Sequence, residues 1–102
     1  MSKQESVIFR VKDYNDKALI EFEIPGGVLD PRELANIHPP EIQGTKITLL
    51  SGRGPVWLYS MLTHFYHYTR AVAVFDPRLN AYIVVATHTK DLKVGDLITL
   101  QQ

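Results

Sequence analysis

The stretch from Lys46 to Phe75 constrains the fold more than any other part of this chain. Lys46 to Leu50 is a brief, almost wholly apolar run, the pattern of a strand buried on both faces. It leads into Ser51-Gly52-Arg53-Gly54-Pro55 and then into the longest helical pattern of the sequence, Val56 to about His67. Arg70 to Phe75 (RAVAVF) is a second buried strand. Strand, glycine turn, helix, strand is a βαβ unit, which makes the two strands parallel with a right-handed crossover.

The rest of the chain adds strands around that unit. Val7 to Asp13 alternates partly, Tyr14-Asn15-Asp16-Lys17 is a turn, and Ala18 to Ile24 alternates again, so the amino-terminal part reads as an antiparallel hairpin. Pro25-Gly26-Gly27 breaks it. Asp30 can cap a short helix with Pro31 in its first turn and Glu33 three residues on, ending before Pro39-Pro40. After Phe75, Asp76 to Asn80 is a turn, Tyr82 to Ala86 returns as a hairpin partner, and Val94-Gly95-Asp96 turns into a last strand, Leu97 to Leu100. The expected fold is α/β (α+β): one mixed sheet of five to six strands with two helices, in the order β-β-α-β-α-β-β-β.

A chain of 102 residues fits one domain, here 1–102, with one modest core. The absence of cysteine excludes disulfide scaffolds, thiol catalysis and zinc ribbons. Eleven basic residues balanced by 11 acidic ones exclude a broad electrostatic footprint for duplex DNA, so any anion must be held by a local cluster. No apolar run approaches the roughly 20 residues of a membrane span, and the polar start MSKQES is no signal peptide. A cytoplasmic protein is expected.

Two clusters could carry chemistry. On the long helix Leu58, Met61, Leu62 and Phe65 form the face that must be buried, while His64 lies about 120° from Leu58 and His67 lies opposite it. The two histidines are neighbours on one surface, either half-buried and satisfied or part of an interface or site. The second cluster lies at the carboxyl ends of the parallel strands, where ligands gather in such sheets. There Gly52 and Gly54 let backbone N–H groups approach an oxyanion, and Arg53 adds a fork of donors. The same residues are equally a tight strand-to-helix turn; the glycine spacing matches neither a dinucleotide fingerprint nor a P-loop. Asp76 closes the next strand at that same edge. The helix runs away from it, which puts His64 and His67 about 15–18 Å from Pro55. One small substrate therefore cannot meet both clusters within one chain, and an oligomer would resolve this. His88 ends an antiparallel strand, so it should lie at the far end, near His67. His38 reads as a loop residue. Trp57, Tyr59 and Tyr68 could stack on bases or simply pack.

The string Ser51 to Tyr59 (SGRGPVWLY), followed by His64, Tyr66-His67 and Val72 to Leu79 (VAVFDPRL), resembles the small CRISPR-associated Csx-three family, also called the Crn-three ring nucleases. Val84-Val85-Ala86 with His88, and Val94-Gly95-Asp96, continue the likeness, which covers about half of the chain from Leu50 to Leu100. The resemblance implies a fold distantly like the CARF and Rossmann group. It also implies an enzyme of type III CRISPR antiviral defence that cleaves the second messenger cyclic tetra-adenylate by a Mn²⁺-dependent phosphodiester cleavage. The ligand would be sandwiched between two homodimers, as a tetramer. Members have also been viewed as Mn²⁺-dependent deadenylases of single-stranded RNA with 3′ adenosines. Carried over by motif, His67 and Asp76 would be catalytic, and Mn²⁺ would take its ligands from His64, His67, Asp76 and His88. Ser51, Gly52, Arg53, Gly54 and Arg78 would hold the ligand. Two other readings stay open: the RNA exonuclease, and a non-catalytic module that only binds cyclic oligoadenylate. Phe75 stands where the family often has tyrosine, and Asn80-Ala81 replaces a glycine-rich hairpin tip.

Overall fold

Six strands form one mixed sheet in the order of the sequence, and the computed structural model describes residues 5–100 of it. Strand β1 (Ile8–Asp13) and β2 (Lys17–Glu23) are the expected antiparallel hairpin. Asn15 takes the left-handed backbone its turn needs, with φ of 68°. Tyr14 N–H donates to the Lys17 carbonyl at 2.8 Å. Ion pairs Arg10–Glu23 and Lys12–Glu21, both 3.3 Å, lie across the ladder in solvent.

Strand β3 (Ile47–Gly52) lies parallel to β2 on one side and to β4 (Ala71–Asp76) on the other. The βαβ reading is therefore correct, and the sheet holds a second parallel pair, β2 with β3, that the hairpin pattern did not announce. Ile47 to Leu50 are all buried, as a strand covered on both faces must be. Between β3 and β4 runs the helix α1 (Val56–Phe65). Beyond the turn at Asp76, β5 (Ala81–Thr87) returns antiparallel to β4, and β6 (Leu97–Ile98) pairs with β5. A bulge between Val72 and Ala73 shifts the β4–β5 register by one residue.

Both crossovers lie on one face. Leu58, Leu62 and Tyr66 pack there onto Ile20, Phe22, Leu50 and Val72, with Leu29, Leu34, Ile37 and Ile42 of the β2–β3 connection closing over them. Leu58 and Leu62 are fully buried, each worth about 1.5–3 kcal/mol relative to exposure. The opposite face carries its own cluster of Leu19, Ile47, Leu49, Ala73, Tyr82, Val84 and Ile98, covered by Tyr14, Phe75, Leu92 and Leu100 rather than by a helix. The result is two-layered, not doubly wound.

The two helices differ from expectation in kind and length. The first is a six-residue 3₁₀ run, Pro31–Asn36, capped by the Asp30 carboxylate on Arg32 N–H at 2.9 Å. Pro31 can open it, but six residues before a double proline are too few to wind α-helix. Helix α1 stops at Phe65 instead of His67, and Tyr66–Tyr68 tighten into a 3₁₀ turn. Thr69 holds that turn: its hydroxyl donates to the Tyr66 carbonyl at 2.7 Å and meets the Thr48 hydroxyl at 2.9 Å, both in the core. Among the described residues no helix is long and apolar enough to cross a membrane.

Tyr66 ties the two connections together, since its fully buried side chain donates to the Pro40 carbonyl at 2.5 Å. Burial pushes its hydroxyl well above the ordinary tyrosine value, with Tyr68 adding to the effect. The folded state thus keeps a proton that the unfolded state gives up near pH 10, so this contribution is complete below about pH 10 and is lost as pH rises beyond it. Tyr66→Phe should cost about 0.5–1.5 kcal/mol at neutral pH and should flatten the alkaline decline, as read from urea midpoints at pH 7 and pH 11.

Candidate functional site

The carboxyl edge of the parallel strands is built around one phenol. Tyr59, one turn into α1, accepts from Gly52 N–H at 3.0 Å and donates to the Gly52 carbonyl at 2.5 Å. Its ring stands edge-on to Phe22, with centroids 5.0 Å apart at 70°. Burial raises the pKa of the Tyr59 hydroxyl, against the lowering effect of the Gly52 hydrogen bond. Gly52 is a glycine because of Phe22: a Cβ there would fall within 2.6–2.7 Å of the ring and closer still to the Phe22 carbonyl oxygen. The Gly52 N–H is thus engaged by Tyr59, and its missing side chain makes room for a neighbouring strand. Gly54 is similarly tight, 3.1 Å from Leu58 and from Phe22.

The other residues of that loop part company. Side chains alternate along a strand, so Ser51 faces the layer opposite α1. There it lines a cavity of about 290 Å³ with Lys12, Glu21, Asn80 and Tyr82. Burial, then the nearby Glu21 carboxylate, raise the Tyr82 hydroxyl pKa. Arg53 stays on the helix side. Arg10, Arg32, Arg70 and Arg78 each pair with a carboxylate; Arg53 alone of the five arginines has no such partner among the described residues. A free guanidinium at a strand edge is a ready partner for a phosphate.

Asp76 lies at this edge, half-buried, and its carboxylate accepts from Arg78 N–H at 2.8 Å, closing the turn into β5. The Arg78 guanidinium is 3.7 Å away and points into solvent. Asp76 thus has a turn to hold besides any chemistry.

The histidines gather at the opposite edge. The rings of His67 and His88 meet edge-to-face with centroids 4.8 Å apart, and His88 Nε2 lies 2.9 Å from the His67 carbonyl. A carbonyl only accepts, so His88 Nε2 is the donor of this hydrogen bond. His88 reaches this place because its own N–H donates to the Arg70 carbonyl at 2.9 Å, at the start of β4. Arg70 in turn pairs with Asp91 at 2.7 Å. Both histidines are exposed, as are His64 on α1 and His38 in its loop.

The expected meeting of His67 with His88 is therefore found, as is the separation of both from Asp76. Strand β4 carries the chain about 16 Å between the two ends. Among the described residues no three of His, Cys, Asp or Glu stand close enough together to hold a metal ion. The donor set His64, His67, Asp76 and His88 does not form a metal site within one chain. Two functional-looking tyrosines also resolve into packing. Tyr59 holds Gly52, and Tyr68 accepts from Ile42 N–H at 3.0 Å and donates to the Ile42 carbonyl at 3.2 Å. Spacing alone hid both clamps, because their partners are a glycine seven residues back and a loop residue 26 back.

Fold and edges together define a small two-layered α+β protein with a guanidinium, unpaired among the described residues, at one end of its parallel strands and an imidazole pair at the other. Residues 22–99 match the model of the family described as CRISPR-associated protein (Cas_csx3). The chain belongs to that family. It is 45% identical over 102 residues to an uncharacterized protein of Aquifex aeolicus (strain VF5), covering 95% of this chain and 91% of that protein.

The packing account of the glycine loop makes two predictions. Gly52→Ala should destabilise the protein by about 1–3 kcal/mol, since Phe22 cannot yield without moving backbone. Tyr59→Phe should cost about 0.5–1.5 kcal/mol and accelerate amide hydrogen exchange at Gly52. Unchanged exchange there would show that the phenol does not hold the loop.

Proposed function

We propose that this chain is a ring nuclease that opens cyclic tetra-adenylate and so ends type III CRISPR signalling. The support is family membership joined to one observation: the exposed His67–His88 pair, with the free guanidinium of Arg53 at the other edge. Phosphodiester cleavage needs an oxygen nucleophile relieved of its proton, in-line geometry, and neutralisation of the non-bridging oxygens. Imidazole suits the proton transfer near neutral pH. The attacking oxygen, a ring 2′-OH or water, forms a bond to phosphorus while the P–O bond to the 5′ oxygen breaks and that oxygen takes up a proton. Arg53 and Arg78 offer charge to hold the phosphates.

No single chain brings Asp76 to His67. On this reading the productive site is composite, with Asp76 of one subunit meeting the histidine pair of another, and two homodimers close on the ring. Any Mn²⁺ used would draw its ligands from both subunits, since among the described residues one chain brings no three such donors together.

Purified protein incubated with cyclic tetra-adenylate should yield linear di-adenylates in Mn²⁺ and an intact ring in EDTA, identified by liquid chromatography and mass spectrometry. A ring that binds but stays intact in Mn²⁺ would make the protein a sensor or sink. Stepwise 3′ shortening of single-stranded RNA, with the ring untouched, would make it the exonuclease. His67→Ala and Asp76→Ala should each lower turnover at least about tenfold with the fold intact. Mixing the two variants should restore turnover that neither has alone, because each supplies what the other lacks; failure to restore it would sink the composite site.

A further inference from the structure

His88 stands where β5, ending at Thr87, gives way to a loop. An exposed imidazole there loses its aim unless the chain on each side of it is fixed. One residue, Arg70, fixes both sides. Its carbonyl accepts from His88 N–H at 2.9 Å, one step beyond the last β4–β5 pair, Ala71 with Thr87. Its guanidinium reaches past His88 to the residues that follow. There Nη2 lies 2.7 Å from the Asp91 carboxylate and 3.4 Å from the Thr89 hydroxyl.

The loop is drawn tight around that grip. Thr89 N–H donates to the Thr87 hydroxyl at 3.1 Å, and Asp91 N–H donates to the Thr89 hydroxyl at 3.3 Å. Arg70 is itself anchored, because its N–H donates to the Lys46 carbonyl at 3.0 Å and it follows the buried Thr69. Thr69 also holds the turn that carries His67. His67 and His88, far apart in sequence, are thus referred to one fixed base. The Arg70–Asp91 pair adds little to stability, since the two side chains are 36% and 76% exposed and exposed ion pairs are weak. What it supplies is direction. A catalytic group must be held to within about 0.5 Å of its working position, and a side chain on an unbraced loop is not.

We infer that Arg70 and Asp91 are positioning residues for the imidazole pair. Their ion pair braces the loop after His88, so that Nε2 stays on the His67 carbonyl and the two rings keep their edge-to-face contact. The catalytic meaning of this brace rests on the ring-nuclease reading; the brace itself does not.

The two rings, with centroids 4.8 Å apart, should give a nuclear Overhauser cross-peak in the full-length protein. Asp91→Ala should lose most of that intensity while its urea midpoint stays at the parental value. With cyclic tetra-adenylate and Mn²⁺, the same variant should lower kcat at least about fivefold and leave KM within about twofold, because the brace aims a reacting group and does not bind the ring. Asp91→Glu, which keeps the carboxylate, should recover both the cross-peak and kcat. An undiminished cross-peak in Asp91→Ala would overturn the inference, as would parental kcat in that variant. So would a fallen urea midpoint with no recovery in Asp91→Glu, which would make the pair merely structural. The two readings fail separately. If the parent leaves the ring intact while Asp91→Ala loses the cross-peak, the nuclease alone is removed. If the parent cleaves the ring while the cross-peak survives in Asp91→Ala, the positioning role alone is removed.

Discussion

Strand β3 pairs in parallel with a strand on each side, and its side chains from Ile47 to Leu50 lie out of water on both faces. Parallel neighbours cannot be joined by tight turns, so the chain must leave the sheet twice, and both excursions return across the same face. One excursion winds α1; the other folds down as the loop and 3₁₀ run between β2 and β3. Everything at the two edges follows from this. The end of β3, the start of α1 and the end of β4 share one rim, while the end of α1, the start of β4 and the end of β5 share the other.

Each rim is then stiffened by tyrosine. Tyr59 closes on Gly52 at one rim, and Tyr66 and Tyr68 reach Pro40 and Ile42 toward the other. These phenols bond backbone groups of connecting segments, so the loops are fixed by side chains of the helix they flank. The pairing of helix with loop gives a 102-residue chain ordered edges that its small core alone would not supply.

Much of this was legible in residue order. The apolar runs around SGRGP announced the βαβ unit, and strand direction placed His88 beside His67 and set Asp76 apart. What escaped the sequence was whatever depends on partners far along the chain. Gly52 looked like a residue cleared for an anion, whereas it clears space for Phe22, thirty residues earlier. Tyr59 and Tyr68 carried helical spacing that reads as packing or stacking, and nothing local shows a hydroxyl turned back onto a loop carbonyl. The β2–β3 pairing was hidden because Ala18 to Ile24 alternates, as an antiparallel strand with one exposed face would, while in the sheet β2 is an interior strand. Ser51 and Arg53, two apart in the motif, end on different faces because β3 stops at Gly52 and Arg53 already belongs to the turn into α1, outside the alternation of the strand.

The length of β4 has a further consequence. On the reading proposed above, one end of that strand holds a carboxylate and the other an imidazole pair, and only association brings them together. Catalysis then rises with more than the first power of protein concentration until the assembly is saturated. A cell making little of this chain would leave its messenger almost untouched, and a modest rise in expression would set a sharp threshold for clearing it. The spacing of two side chains along one strand would thus act as a dosage control, needing no separate regulator.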